Sequence, residues 1–123
     1  ASRTKAKAEE FASEFDCEAI EGYQNLLDRK DIDVIYMPLP TGLHEEWVMK
    51  ALEAGKHVHI EKSLAMNYNS AKRMVDLAKE KGLLIMENFM FLYHHQHDFV
   101  NGLIEQGEIG EIRSFRSSFE CRQ

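Results

Sequence analysis

Apolar residues recur along this chain in two alternating rhythms, one helical and one extended. Ala8, Phe11, Ala12 and Phe15 fall at i, i+3, i+4 and i+7 and predict a helix to about Phe15, with Ser2 or Thr4 as its cap. Residues 17–20 form a weak short strand candidate ended by Gly22, and residues 23–28 a short helix that turns Leu26 and Leu27 inward. Val34, Ile35, Tyr36 and Met37 follow as an unbroken apolar run, the pattern of a strand buried on both faces in a parallel sheet. Pro38-Leu39-Pro40 stops that strand, because neither proline can donate to a ladder. Thr41 then caps a helix with Trp47, Val48, Ala51 and Leu52 on one face, and Gly55 stands where a left-handed C′ residue is wanted.

The second half repeats the rhythm. His57 to Glu61 is a strand. Asn67 or Asn69 caps a helix through Lys81 whose inward set is Ala71, Met74, Val75 and Ala78, and Gly82 ends it. Leu83 to Met86 reads as a further buried strand, followed by an aromatic segment from Phe89 to Tyr93. A helix from about His94 to Gln106 turns Val100, Leu103 and Ile104 inward, and residues 111–122 alternate as an antiparallel strand wet on one side. Strands separated by 10–15-residue helical patterns are βαβ units with right-handed crossovers, so the predicted fold is α/β, a doubly wound parallel sheet.

The 123 residues suffice for one domain with a real core, and 44% hydrophobic against 29% charged residues is an ordinary globular balance. A formal net charge of −6 without a basic block argues against a nucleic-acid surface. No apolar run approaches the roughly 20 residues that span a bilayer, so no membrane partner is expected. Cys17 and Cys121 do not make a disulfide framework, and two idle thiols suit a reducing cytoplasm.

Chemistry concentrates where the strand His57-Val58-His59-Ile60 ends in Glu61-Lys62. Open α/β sheets bind ligands in the crevice beyond the carboxyl ends of their strands. An ammonium there can donate to a substrate oxygen, and burial could lower its pKa toward the working range. A surface lysine at a strand end fits the position as well. His94, His97 and Asp98 share one helix face at i, i+3 and i+4, but no Cys or Glu joins them at a ligand spacing, and no metal site is expected.

Three spaced motifs carry a resemblance. They are the run from Asp33 to His44 (Asp-Val-Ile-Tyr-Met-Pro-Leu-Pro-Thr-Gly-Leu-His), Ala51-Leu52-Glu53-Ala54-Gly55-Lys56-His57-Val58, and Glu61-Lys62. Together with Met86-Glu87-Asn88-Phe89-Met90, Gln96-His97 and residues 107–112, the chain resembles the Gfo/Idh/MocA family, relatives of glucose–fructose oxidoreductase and inositol dehydrogenase. The resemblance implies a partial Rossmann-type, NAD(P)-dependent oxidoreductase that moves hydride to or from a sugar, cyclitol or related polyol. It gives Lys62 the catalytic role and puts Glu61 at the nicotinamide end of the cofactor, although Glu61 could equally be a mere partner of Lys62. It also places Ser2, Arg3 and Thr4 at the adenosine ribose, where a basic residue takes the 2′-phosphate of NADP and an acidic one the 2′-hydroxyl of NAD. Arg3 leans toward NADP. Pro38, Leu39, Pro40 and Thr41 line the ribose and pyrophosphate side; His44 resembles a histidine at the cofactor but suits capping or packing as well. Asn88 and Tyr93 are weak candidates for substrate contact.

The departures are specific. Ser63 stands where the family usually has proline, and Leu92 and His95 stand where arginine and proline are common. The family's first strand and Gly-rich turn would precede Ala1 by about 30 residues. Residues 1–107 are thus expected to be a dinucleotide-binding domain lacking that strand, and residues 108–123 the start of a substrate and oligomerisation sheet that implies a homo-oligomer. The alternative is a non-catalytic fragment that only folds or associates.

Overall fold

The computed structural model describes residues 1–118. Its element order is α1 (Lys5–Phe15), α2 (Tyr23–Leu27), β1 (Val34–Met37), α3 (His44–Glu53), β2 (His57–Ile60), α4 (Tyr68–Lys81), β3 (Ile85–Glu87) and α5 (Gln96–Glu105), with 3-10 turns at Thr41–Leu43 and Met90–Tyr93. The chain divides into two compact units, Ala1–Phe89 and Met90–Gln123.

In the first unit the three strands form a parallel sheet in the order β1-β2-β3, with Val34 opposite His57 and Val58 opposite Ile85. Parallel neighbours require a crossover, and α3 and α4 supply the two that the hydrophobic rhythm predicts. One face of the sheet carries Ile35, Met37, Val58 and Ile60, which join Val48, Ala51 and Leu52 of α3 and Met74 and Ala78 of α4 in one buried cluster. The α4 ends are locally specified: the Asn67 side chain accepts the Ser70 N–H at 3.0 Å, and Gly82 takes the left-handed φ of 66°.

Several expectations need correction. Val34–Met37 is not buried on both faces: Val34 is 55% and Tyr36 54% exposed, so β1 alternates. The helices α3 and α4 share one side, and the other side of the strand carries Val34 and Tyr36. Likewise Leu84, just before β3, and Met86 within it are exposed. In α1 only Ala8 and Ala12 are buried, whereas Phe11 and Phe15 stack on each other at 4.7 Å in the open. Residues 17–20 form no strand; the local pairing is a single parallel bridge between Ser2 and Glu21. Thr41 lies in the 3-10 turn, so Leu43 occupies the N-cap position of α3.

In the second unit α5 begins at Gln96, Val100 is exposed, and Leu103 and Ile104 are half-buried. The expected strand over residues 111–122 is absent from residues 111–118, and its remainder lies outside the described residues. The two serines at 117 and 118 and Ser114 break its alternation, and no described strand pairs with it.

Candidate functional site at the strand tips

Parallel pairing brings the carboxyl ends of β1, β2 and β3 to one edge, which gathers Pro38, Glu61 and Asn88 from distant parts of the sequence. Glu61 is the hub. Its Oε1 accepts the Tyr36 hydroxyl at 2.8 Å and the Asn88 side-chain N–H at 2.6 Å. These donors, Asn88 foremost and then Tyr36, hold the Glu61 carboxyl below the usual carboxylate range, since they favour the charged form. The same bond raises the Tyr36 hydroxyl above an ordinary phenol, because losing its proton would face two oxygen anions to each other. His59, two residues before Glu61, stacks beside Tyr36 at 5.4 Å, and its Nε2 is buried with no partner among the described residues.

Lys62 is exposed and makes no ion pair or side-chain hydrogen bond among the described residues. Glu61 therefore does not serve as its partner; the carboxylate is already held by Tyr36 and Asn88. The burial expected around the Lys62 ammonium is not found among the described residues. The Lys62–Ser63 peptide is cis. The loop that follows is tethered twice: Glu87 Oε1 accepts the Leu64 N–H at 2.8 Å, and the His44 ring meets the carbonyls of Ser63 and Leu64.

The remaining predicted residues separate into groups. Leu39, Pro40 and Thr41 form the turn beyond β1: Pro40 O accepts the Leu43 N–H, and Leu39 O faces His44 Nε2. His44 is fully buried, its three polar contacts all to backbone oxygens, so its ring is not presented to a ligand. Ser2 pairs with the strand-like segment at Glu21, through Ser2 N–H to Ile20 O and Gly22 N–H to Ser2 O. Thr4 occupies the N-cap of α1 without a side-chain bond, and Glu21 takes the Lys5 N–H instead, a carboxylate suited to a helix N-terminus. Arg3 is exposed and has no ion pair among the described residues. Asn88 is brought to Glu61, whereas Tyr93 belongs to the second unit. His94 precedes α5, where its Nδ1 accepts the Gln96 N–H, so the face expected from His94, His97 and Asp98 does not form on the helix.

Tyr36 was not singled out from sequence, although its signal was present. In the sheet register Tyr36 lies opposite His59, and Glu61 follows on the same face by the period of two. A cavity of about 230 Å³ lies between the start of the chain and the free edge of β1, lined by Ala1, Tyr23, Leu26, Ile35, Met37 and Trp47. Pro38 and Leu39 also line it, which puts the segment entering α1 on the same side as the β1 tip.

Residues 1–89 match the model of an oxidoreductase family with an NAD-binding Rossmann fold. Among curated relatives, the dTDP-3,4-didehydro-2,6-dideoxy-alpha-D-glucose 3-reductase of Saccharopolyspora spinosa is 55% identical over 97% of this chain. The D-xylose 1-dehydrogenase (NADP(+)) 2 of Haloferax volcanii is 34% identical over 99% of it. The chain spans 36% and 38% of those two proteins. A crystal structure of a 3-ketoreductase from Actinomadura kijaniata, in complex with TDP-benzene and NADP, superposes with a TM-score of 0.81 at 49% identity, covering 91% of this chain and 36% of that one.

Proposed function

Because this chain belongs to the Gfo/Idh/MocA family of oxidoreductases with an NAD-binding Rossmann fold, we propose that it is the cofactor-side portion of a reductase acting on a keto sugar attached to a nucleotide. Four relatives at 44–55% identity share the 3-reductase name, which favours this substrate class over the xylose dehydrogenase and hydratase chemistries of relatives at 34% and 31%. One fold hosts many reactions, so the more similar sequences weigh more. The family match also disfavours a merely structural fragment.

The residues present suit a nicotinamide dinucleotide at the strand tips. Arg3 is an exposed cation at the start of α1, ready for a 2′-phosphate, and this favours NADP over NAD. Ser2 and Thr4 flank it, Leu39, Pro40 and Thr41 border the ribose and pyrophosphate side, and Glu61 stands at the nicotinamide end. None of the seven glycines forms a Gly-x-Gly-x-x-Gly turn. The cavity beside the free edge of β1 has the apolar lining that a further parallel strand of the intact domain would cover. Residues 108–123 would then lead into a second sheet domain.

When bound, the nicotinamide supplies the hydride. The protein's part falls to Lys62, whose Nζ–H donates to the substrate oxygen and stabilises the negative charge that develops there as the carbonyl becomes an alkoxide. A proton delivered through Lys62, and replaced on it from solvent, completes the carbinol. Glu61 is immobilised by Tyr36 and Asn88, so a fixed anion borders the lysine without neutralising it. The observation that carries the proposal is this exposed ammonium, without an ion pair among the described residues, at the tip of the central strand β2.

In the full-length enzyme, Lys62→Ala is expected to lower kcat by about 10²–10⁴-fold in an NADPH-oxidation assay with a dTDP-linked keto sugar. Turnover at the wild-type rate would remove Lys62 from the mechanism. Titrating NADPH into the full-length Arg3→Glu variant, with nicotinamide fluorescence as readout, should show weaker binding of NADPH and little change for NADH. Equal effects on both would refute the 2′-phosphate assignment.

A further inference from the structure

His44 is the first residue of α3 and is fully buried, yet both of its ring nitrogens point at carbonyl oxygens. Nδ1 lies 2.9 Å from Ser63 O and 3.2 Å from Leu64 O, and Nε2 lies 2.7 Å from Leu39 O. A carbonyl oxygen only accepts. A neutral imidazole donates from one nitrogen and presents a lone pair at the other, which here would confront a second oxygen lone pair at hydrogen-bond distance. Every contact is satisfied when the ring carries a proton on each nitrogen. An imidazolium buried without compensation would be costly, but three backbone oxygens meet it, and charge-assisted hydrogen bonds are the stronger kind.

We infer that His44 is a positioning residue: as a double donor it staples the loop after Lys62 to the turn after β1, and so sets where the Lys62 ammonium stands relative to the cofactor-side turn at Leu39. This rests on the proposed role of Lys62 at the reacting oxygen. The connection runs through covalent neighbours, since Ser63 is bonded to Lys62 and its carbonyl is one of the two oxygens that Nδ1 holds. Glu87 fixes the N–H of Leu64 from β3, but no other described side chain is bonded to the Ser63 carbonyl. The Leu39 carbonyl belongs to the turn assigned to the cofactor's ribose side. One ring thus ties together the two strand-end loops that a hydride transfer must hold in register. Misplacing a reacting group by an ångström can cost about 100-fold in rate.

The two ties can be cut separately. An Asn amide nitrogen occupies the place of a histidine Nδ1, and a Gln amide nitrogen the place of Nε2. His44→Asn therefore keeps the tie to Ser63 and Leu64 and loses the one to Leu39; His44→Gln does the reverse. Either change unties the two loops, so in the full-length enzyme, assayed by NADPH oxidation with a dTDP-linked keto sugar, His44→Gln and His44→Asn are each expected to lower kcat by about 100-fold, with KM for NADPH within about twofold in both. Wild-type turnover in either variant, or a change confined to KM, would overturn the inference.

Lys62→Ala in the same assay separates the two readings. If it leaves turnover intact, the role of Lys62 fails. If it abolishes turnover while His44→Gln does not lower it, His44 alone is refuted. Should either His44 variant not fold, the ¹⁵N spectrum of the wild-type histidines at pH 7 decides the inference. Protons on both His44 nitrogens support the double tie, and one bare nitrogen refutes it.

Discussion

Glu61 and Lys62 are neighbours with opposite circumstances, and the difference is set by what each side chain can reach. Glu61 lies on the sheet face that also carries Tyr36, and Asn88 arrives from the next strand tip, so the carboxylate has two donors. Lys62 is the first residue of the departing loop and has none among the described residues. Removing a donor should show in titration. Tyr36→Phe is expected to move the Glu61 pKa upward, toward that of a free carboxylate, measurable by carboxyl ¹³C NMR. The sign for stability follows from the depressed native value: the contribution of Glu61 is present above the unfolded-state pKa and is lost as pH falls through the lower folded one. Tyr36→Phe should therefore flatten the loss of Tm between neutral and acid pH, and an unchanged acid limb would contradict the arrangement.

Asp31 shows the same physics away from the site. Arg29 donates to it twice, at 2.6 and 2.7 Å, which brings its carboxyl down to about 2, while also bonding Glu18 at 2.7 Å. All three are surface groups, so little stability is expected from the network. The buried Lys56 does more for the chain's course: its Nζ donates to the carbonyls of Arg29 and Ile32 and holds the loop that leads into β1.

At the scale of elements, α4 is the best determined part, because its apolar spacing, cap and glycine stop agree with each other, while α3 rests on its spacing and glycine stop. Met74 of α4 is wholly buried in the cluster shared with α3 and the sheet, and Met74→Ala should cost about 2–5 kcal/mol, read from urea denaturation. Asn67→Ala removes the α4 cap and should cost about 1 kcal/mol. Elements with only one of those signals were misread. The stripe in α1 has the right spacing, but spacing says which side chains share a face and not whether anything covers that face, and Phe11 and Phe15 are left exposed. The run Val34-Ile35-Tyr36-Met37 is apolar throughout, which suits burial on two sides, yet the helices supply only one. Residues 111–118 have strand-like alternation without a described partner strand, and a strand exists only by pairing.

At the scale of the molecule, the buried cluster runs from Leu27 to Ala78, entirely within Ala1–Phe89. No described residue from 90 onward is buried. A ten-residue helix such as α5 is marginal in water on its own, since isolated helices need about 12–15 residues. A peptide of residues 90–123 is therefore expected to show little helicity by circular dichroism, whereas residues 1–89 should retain a cooperative thermal transition. Loss of that transition would place essential core outside the first unit.

The sequence by itself determined the succession of the five helices with β1, β2 and β3, the parallel α/β class, and the glycine and asparagine helix ends, and it singled out the strand tip at Glu61-Lys62 as the candidate site. All of these follow from local stereochemistry and from the spacing of apolar residues. Only the tertiary structure decided who meets whom at that tip. It buried His44 against the backbone oxygens of Leu39, Ser63 and Leu64, gave Glu61 to Tyr36 and Asn88, and left Lys62 without an ion pair among the described residues. Such pairings depend on strand order and register, which bring together residues 25 to 27 positions apart, and no local pattern encodes a contact across that distance.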